Sequence, residues 1–327
     1  MRILSRNKSS LASFVLFLIL ITCCFSLFTN NSYLQIFGFI ILYAFIGILK
    51  PYSLQLIYGF LVFCTIFAFI DPTLMTSKQL LSIGSVYLCL RCDMRPFLQS
   101  TLLNGIPNYL YFCLFSLIIL STGYNFISGT YLLGIYGIPR ISSFSFDPNY
   151  FAFFLVFLLL ISVRKSQKLP LYIFLVSTQS VLFLLSFFAK NLNYILTLAY
   201  LLVISSVFLD FSLDELLANS NIYYFVSDYF GSDTSNWLHF RALSFDFRLE
   251  WASSLILDGN KLEGIAPHIS LFSGFKKNGI VSIFYFSLIL LIAYRRSSYL
   301  GLLLVQSLGV DVFFGPLCFL VPLYLAL

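Results

Sequence analysis

Leu11-Ala-Ser-Phe-Val-Leu-Phe-Leu-Ile-Leu-Ile-Thr-Cys-Cys-Phe-Ser-Leu-Phe28 carries no charged side chain over a length that matches the hydrocarbon core of a bilayer. A crossing needs about 20 mostly apolar residues at a rise of ~1.5 Å each. Taken alone the stretch could be the apolar part of a signal peptide, but only if the rest of the chain were soluble. It is not: 60% of the 327 residues are hydrophobic, 10% are charged, and the mean hydropathy is +0.94. Water-soluble domains run at about 45–50% apolar and about 25% charged.

Outward from this stretch, apolar runs occupy residues 33–49, 53–70, 80–90, 106–121, 150–163, 171–189, 192–209, 279–294 and 299–327. The chain reads as an all-α, polytopic integral membrane protein of about ten transmembrane segments, with residues 1–327 forming a single domain. The formal net charge of +6 would suggest nucleic acid in a soluble protein. Here Lys and Arg sit mostly in short connectors between apolar runs, so they report topology, and no nucleic-acid partner is expected. The seven cysteines lie within or at the edges of apolar runs, where a thiol behaves as a small hydrophobe. Cys89 and Cys92 form the lone CxxC spacing, with no second pair and no nearby His, so neither a metal site nor a cofactor is expected.

Orientation follows from the connectors. Arg2, Arg6 and Lys8, then Lys50, then Arg91 and Arg95, then Arg164, Lys165 and Lys168 all fall on one side, which is therefore cytoplasmic. The other side receives residues 29–32, 71–78 and 122–149. Arg295 and Arg296 should also be inside, which puts the long connector 210–278 outside, but two full crossings between 171 and 209 would put it inside. Three resolutions stay open on the residues alone: one of those two segments is re-entrant, a third crossing lies near residues 222–226, or the double Arg breaks the rule.

The 210–278 connector holds both His, both Trp and nine of the thirteen acidic residues. A connector of this length is usually functional or disordered, and Tyr223, Tyr224, Phe225, Trp237 and Trp251 argue for a short helical cap on the membrane, though aromatics also anchor at interfaces. Within it, residues 244–259 read as a helix capped by Ser244 or Asp246 and stopped at Gly259, with Leu249, Ala252, Leu255 and Ile256 on one face. Arg248 then falls in the first turn, where a cation beside free amide groups forms an anion site; local pairing with Asp246 or Glu250 is the bland account. Pro267 suits the first position of a second helix, which puts His268 in a first turn that keeps its ring neutral and able to accept a proton; a structural hydrogen-bonding role is the commoner one for a lone His. In the earlier outer connector, Asp147-Pro148-Asn149 is a turn into the next apolar run, with Asn149 as its N-cap, and Arg140 is the sole basic residue there. Lys190, between two apolar runs at the same outer edge, either snorkels or contacts phosphate.

These pieces together resemble the bacterial O-antigen polymerase and O-antigen ligase superfamily. Arg140 with Phe144, Asp147, Pro148 and Asn149 is similar to that family's Arg, Phe and Asx-Pro-Asn entering a span. Residues 186–190 occupy the place of its Ser-Arg-Gly signature, with Lys190 in place of Arg. Arg248 to Gly259 matches an Arg-x10-Gly spacing, and His268 to Gly279 a His-x10-Gly spacing. The tail 308–316 is similar to the family's last span. The likeness covers the chain from about Ile138 onward; Ile269 departs from the Asn that commonly follows the His, and only Gly264 remains of a Gly-x-Gly.

The resemblance implies an outer loop, a bacterial cytoplasmic-membrane location and, as substrate, a glycan linked through pyrophosphate to undecaprenol. It implies metal-independent, inverting polymerisation of lipid-linked repeat units for O-antigen or capsule. Arg248 would act on the leaving pyrophosphate, helped by Arg140, Lys190 and Arg241, while His268 would position or deprotonate the acceptor hydroxyl. Asp147 and Glu250 would orient arginines or bind sugar hydroxyls. The implied partners are membrane lipid and the chain-length regulator and flippase of the same pathway. A ligase transferring the finished glycan to a lipid core is the nearest alternative, and a flippase or transporter of lipid-linked sugars is a further one.

Overall fold

A computed structural model describes residues 2–29, 31–50, 54–70, 75–91, 94, 108–133, 138–145, 147–162, 165–209, 270–271, 273–274 and 281–327. The structure is mostly helical (80%). In chain order the helices are α1 (Arg2–Thr29), α2 (Ser32–Leu49), α3 (Leu54–Ile70), α4 (Met75–Arg91) and α5 (Asn108–Ser128). After these come α6 (Pro148–Ile161), α7 (Lys165–Ser177), α8 (Val181–Phe188), α9 (Asn193–Leu209), α10 (Val281–Ala293), α11 (Leu300–Gln306) and α12 (Val321–Ala326). A two-residue antiparallel ladder pairs β1 (Leu132–Leu133) with β2 (Pro139–Arg140), a small exception to the all-α expectation.

Among the described residues, three helical stretches are long and apolar enough to cross a membrane: Leu11–Thr29, Ser32–Leu49 and Tyr111–Ser128. Four other apolar helices, Leu54–Ile66, Pro148–Ile161, Asn193–Leu202 and Ser282–Ala293, are shorter. Helical length is the difference from the ten runs of the hydropathy reading, since 14 residues rise only ~21 Å. The expected cap lies almost wholly outside the described residues, which include only Ser270, Leu271, Ser273 and Gly274 of it.

Named contacts set the direction of the helices around the Arg140 connector. Tyr111 donates to the carbonyl of Gln167 at 2.9 Å, so α5 and α7 begin at one end. Asn125 donates to the carbonyl of Ser143, and Ile141 N–H to that of Ser177 at 3.1 Å, so both helices finish at the other end, beside Arg140. The 171–189 run is not one helix. It breaks at Thr178–Ser180, where Gln179 adopts a left-handed φ of 54°, and α8 folds back along α7 with Tyr172 and Phe187 in edge contact at 5.8 Å. The Asn193 side chain then accepts from Gly301 N–H at 2.6 Å, so α9 and α11 both set out from the end where α8 finishes. Tyr200 stacks on Phe286, and Tyr285 of the first turns of α10 lies against Phe314 at 5.1 Å. Three segments therefore lie between residues 165 and 209, and Leu209 and Val281, which flank the polar connector, are both at the Arg140 end. Of the three resolutions left open by the charges, a turned-back segment is the one that these contacts support.

The core is the C-terminal tail. Expected as a single span over 299–327, it is instead α11, an irregular stretch through Leu317, a 3-10 turn (Cys318–Leu320) and α12. Gly309 and the Gly315-Pro316 pair interrupt the helix. Nearly every tail residue is buried, with Phe319 packed on Gly38 of α2 and Tyr324 stacked on Phe153 of α6 at 5.5 Å. Apolarity on every side is what a helix surrounded by protein requires.

Gly301 is where α9 and α11 approach most closely: a Cβ there would collide with the Asn193 carbonyl and lie 2.8 Å from Thr197 Oγ1. Gly301→Ala should therefore cost about 1–3 kcal/mol, seen as a lower thermal midpoint in detergent. Gly123→Ala, with open space around the position, should be neutral or stabilising by up to about 1 kcal/mol.

Candidate functional site

Arg140 sits on β2 and reaches across the turn between α7 and α8. Its Nε donates to the Thr178 carbonyl at 3.0 Å, and Nη2 donates to Ser180 Oγ at 3.3 Å and Asn149 Oδ1 at 3.4 Å. Ser180 Oγ donates to the same Asn149 oxygen at 2.9 Å. The N-cap of α6 is Asp147, not Asn149 as expected: Asp147 is extended (φ −108°, ψ 118°) and its Oδ1 accepts from Asn149 N–H at 2.8 Å. Pro148 fills the first helical position with its fixed φ and needs no N–H partner there. Capping by Asp147 leaves the Asn149 side chain to serve Arg140. The preceding loop is pinned by Asn125, which donates to Ser142 Oγ at 3.3 Å and to the carbonyl of Ser143, a residue held at a φ of 47°.

A second set of contacts continues inward from Asn149. Tyr150 lies close to both Asp147 and Asp311 and packs on Gly315, where a Cβ would come within 2.8 Å of its hydroxyl. Asp311 is 4% exposed; its Oδ1 accepts from Phe314 N–H at 3.0 Å and its Oδ2 from Ser273. Ser270 N–H donates to the Ser307 carbonyl at 2.9 Å, and Ser270 Oγ donates to Val310 and accepts from Val312 N–H at 2.7 Å. The end of the polar connector is thus latched to the tail. His268 lies outside the described residues.

Of the expected site residues, Arg140 and Asp147 come together, while Arg241, Arg248, Glu250 and His268 lie outside the described residues. Lys190 does not share the Arg140 edge. Because α8 returns along α7, Lys190 emerges at the far end of that hairpin, beside Lys168, with its ammonium 4.1 Å from the Phe187 ring centroid. Burial, and then the like charge of Lys168, lower its pKa. Two ionisable residues escaped the sequence reading. Asp311 was hidden inside an apolar run, its signal being a lone acid between Gly309 and Gly315. Lys78, in the first turn of α4, is 9% exposed and donates to Gln35 Oε1 at 3.0 Å and Ser32 Oγ at 3.3 Å. Its signal was a Lys-Gln pair opening an apolar run.

No family model, curated protein or solved structure matches this chain.

Two outcomes follow from this geometry. Asn149→Ala strands the Ser180 hydroxyl and one Arg140 donor, and should lower stability by about 1–3 kcal/mol in thermal unfolding, whereas Asn149→Asp, which keeps an acceptor, should not. In a variant stripped of its native cysteines, Thr130→Cys should label with impermeant maleimide from the side opposite to Lys165→Cys, and Lys190→Cys should follow Lys165→Cys. Labelling of Lys190→Cys with Thr130→Cys would refute the turned-back α8.

Proposed function

We propose that the protein polymerises undecaprenyl-pyrophosphate-linked oligosaccharide repeat units at the outer face of a bacterial cytoplasmic membrane, as an inverting glycosyltransferase of the O-antigen polymerase and ligase superfamily. The observation that carries this reading is the continuous run of contacts from Arg140 through Asn149, Tyr150 and Asp311 to Ser270, at the end where both flanks of the polar connector open. Arg140 and Asp147, which belong to one of the family-like motifs, lie at this end, and Ser270 and Ser273, which follow His268 in sequence, are bonded to the tail beside it. The Lys190 end collects Lys50, Arg91, Lys165, Lys168, Arg295 and Arg296 and is the cytoplasmic side by the positive-inside rule. The Arg140 end is then extracytoplasmic, with the connector folded over it as a cap and about ten segments traversing or re-entering the bilayer.

In this mechanism His268 takes the proton of the acceptor hydroxyl as its oxygen attacks the anomeric carbon of the lipid-linked donor. The bond to pyrophosphate breaks, its electron pair passes to a phosphate oxygen of undecaprenyl pyrophosphate, and the anomeric configuration inverts. Arg140, Arg241 and Arg248 stabilise the charge that develops on the leaving group, and the arginine fork suits phosphate oxygens. Asp147 acts indirectly, by setting the start of α6 and freeing Asn149. Glu250 orients Arg248 or a sugar hydroxyl. Lys190 has no part in this site.

The test is a gel of surface polysaccharide from cells lacking the protein, complemented at matched membrane levels with wild type, Arg140→Ala, Arg248→Ala or His268→Ala. Wild type should restore long chains and each variant should leave a product limited to one repeat unit. Long chains held on the lipid carrier would identify a ligase, and full rescue by all three variants would remove the site.

A further inference from the structure

The Lys190 end carries a feature that the proposed reaction does not use. The Tyr172–Phe187 contact clamps α7 to α8, and one lysine emerges on each side of it. Lys168 precedes Tyr172 by one helical turn and so shares its face. Lys190 follows Phe187 and lies over its ring. Two ammonium groups are thereby held as neighbours, and neither is paired with a carboxylate among the described residues. The described carboxylates are Asp147 and Asp311, both of which belong to the contacts that lead inward from Arg140. Like charges held as neighbours repel, and an anion between them offsets that repulsion.

The two helices that carry the pair also expose apolar side chains. Leu169 and Ile173, one turn apart on α7, are 64% and 60% exposed, and Leu185 and Phe188, three apart on α8, are 62% and 67% exposed. A soluble anion would satisfy the lysines and leave these four side chains bare. A phospholipid complements both: its phosphate matches the paired charges and its acyl chains match the exposed apolar side chains of the same two helices. We propose that Lys168 and Lys190 form a binding site for the headgroup of an anionic phospholipid of the inner leaflet, with its acyl chains lying along α7 and α8. The site requires membrane embedding but is independent of the glycosyl-transfer reading.

The full-length protein would be placed in nanodiscs of dioleoyl-phosphatidylcholine alone and of an equimolar mixture with dioleoyl-phosphatidylglycerol, reading the thermal midpoint in each and, by native mass spectrometry, phosphatidylglycerol affinity. Wild type should show a higher midpoint in the mixture. The double variant Lys168→Gln/Lys190→Gln should bind phosphatidylglycerol roughly ten- to thirtyfold more weakly and lose the shift. The double Arg variant, which keeps both charges, should retain it, as should Arg296→Gln, which removes an exposed charge elsewhere at the same end. Unchanged binding by the Gln pair, or equal weakening by Arg296→Gln, would overturn a localised site. An equal midpoint rise with inorganic phosphate or glycerol 3-phosphate in pure phosphatidylcholine would assign the lysines to a soluble anion instead.

Discussion

An irregular backbone buried in an apolar assembly has to find every hydrogen bond inside the protein, because no water is there to supply it. Between Ser307 and Leu317 the tail leaves the helical pattern while staying buried, and the side chains that answer this need come from distant parts of the chain. Ser26 of α1 donates to the Pro316 carbonyl at 2.7 Å, Ser270 bridges Val310 and Val312, and Asp311 accepts from Phe314. The same few groups therefore close the core and anchor the last part of the polar connector. Removing any one of them would leave a buried donor or acceptor unmatched, at a cost larger than the bond itself contributes.

Chemistry and charge divide between the two ends of the assembly. At one end a single guanidinium is held by a loop carbonyl, a serine and an asparagine, with hydrogen-bonded carboxylates close by. At the other end cations predominate and aromatic rings support them, as with Lys190 over Phe187 and Arg91 over Tyr87. The first arrangement is ordered and directional. The second is suited to the headgroup region of a membrane.

The helical, apolar character of the chain was legible because composition alone excludes water as its main solvent. Segment number was not, since hydropathy averages across a turn as tight as Thr178–Ser180 and contains no penalty for one left-handed glutamine. The tail was misread for the same reason: its glycines weigh little in an apolar average but decide where the helix stops. Arg140 stood out as the lone base of its connector, while Thr178 and Ser180, 38 and 40 residues further on, could not be recognised as its partners from spacing. Asp147 and Asn149 were read as a helix start with their roles exchanged. Both residue types cap well, and the choice between them depends on what else each can reach. The wrong edge given to Lys190 followed directly from the uncounted reversal of α8.

The hairpin of α7 and α8 has a mechanical consequence for the surrounding lipid. Helices of 13 and 8 residues rise only ~20 Å and ~12 Å, against a hydrocarbon layer of about 30 Å, and α6 beside them rises ~21 Å. A bilayer meeting so shallow a flank thins and bends to match it, at a fraction of a kcal/mol per Å of mismatch. The two headgroup planes are thereby drawn closer together along this flank.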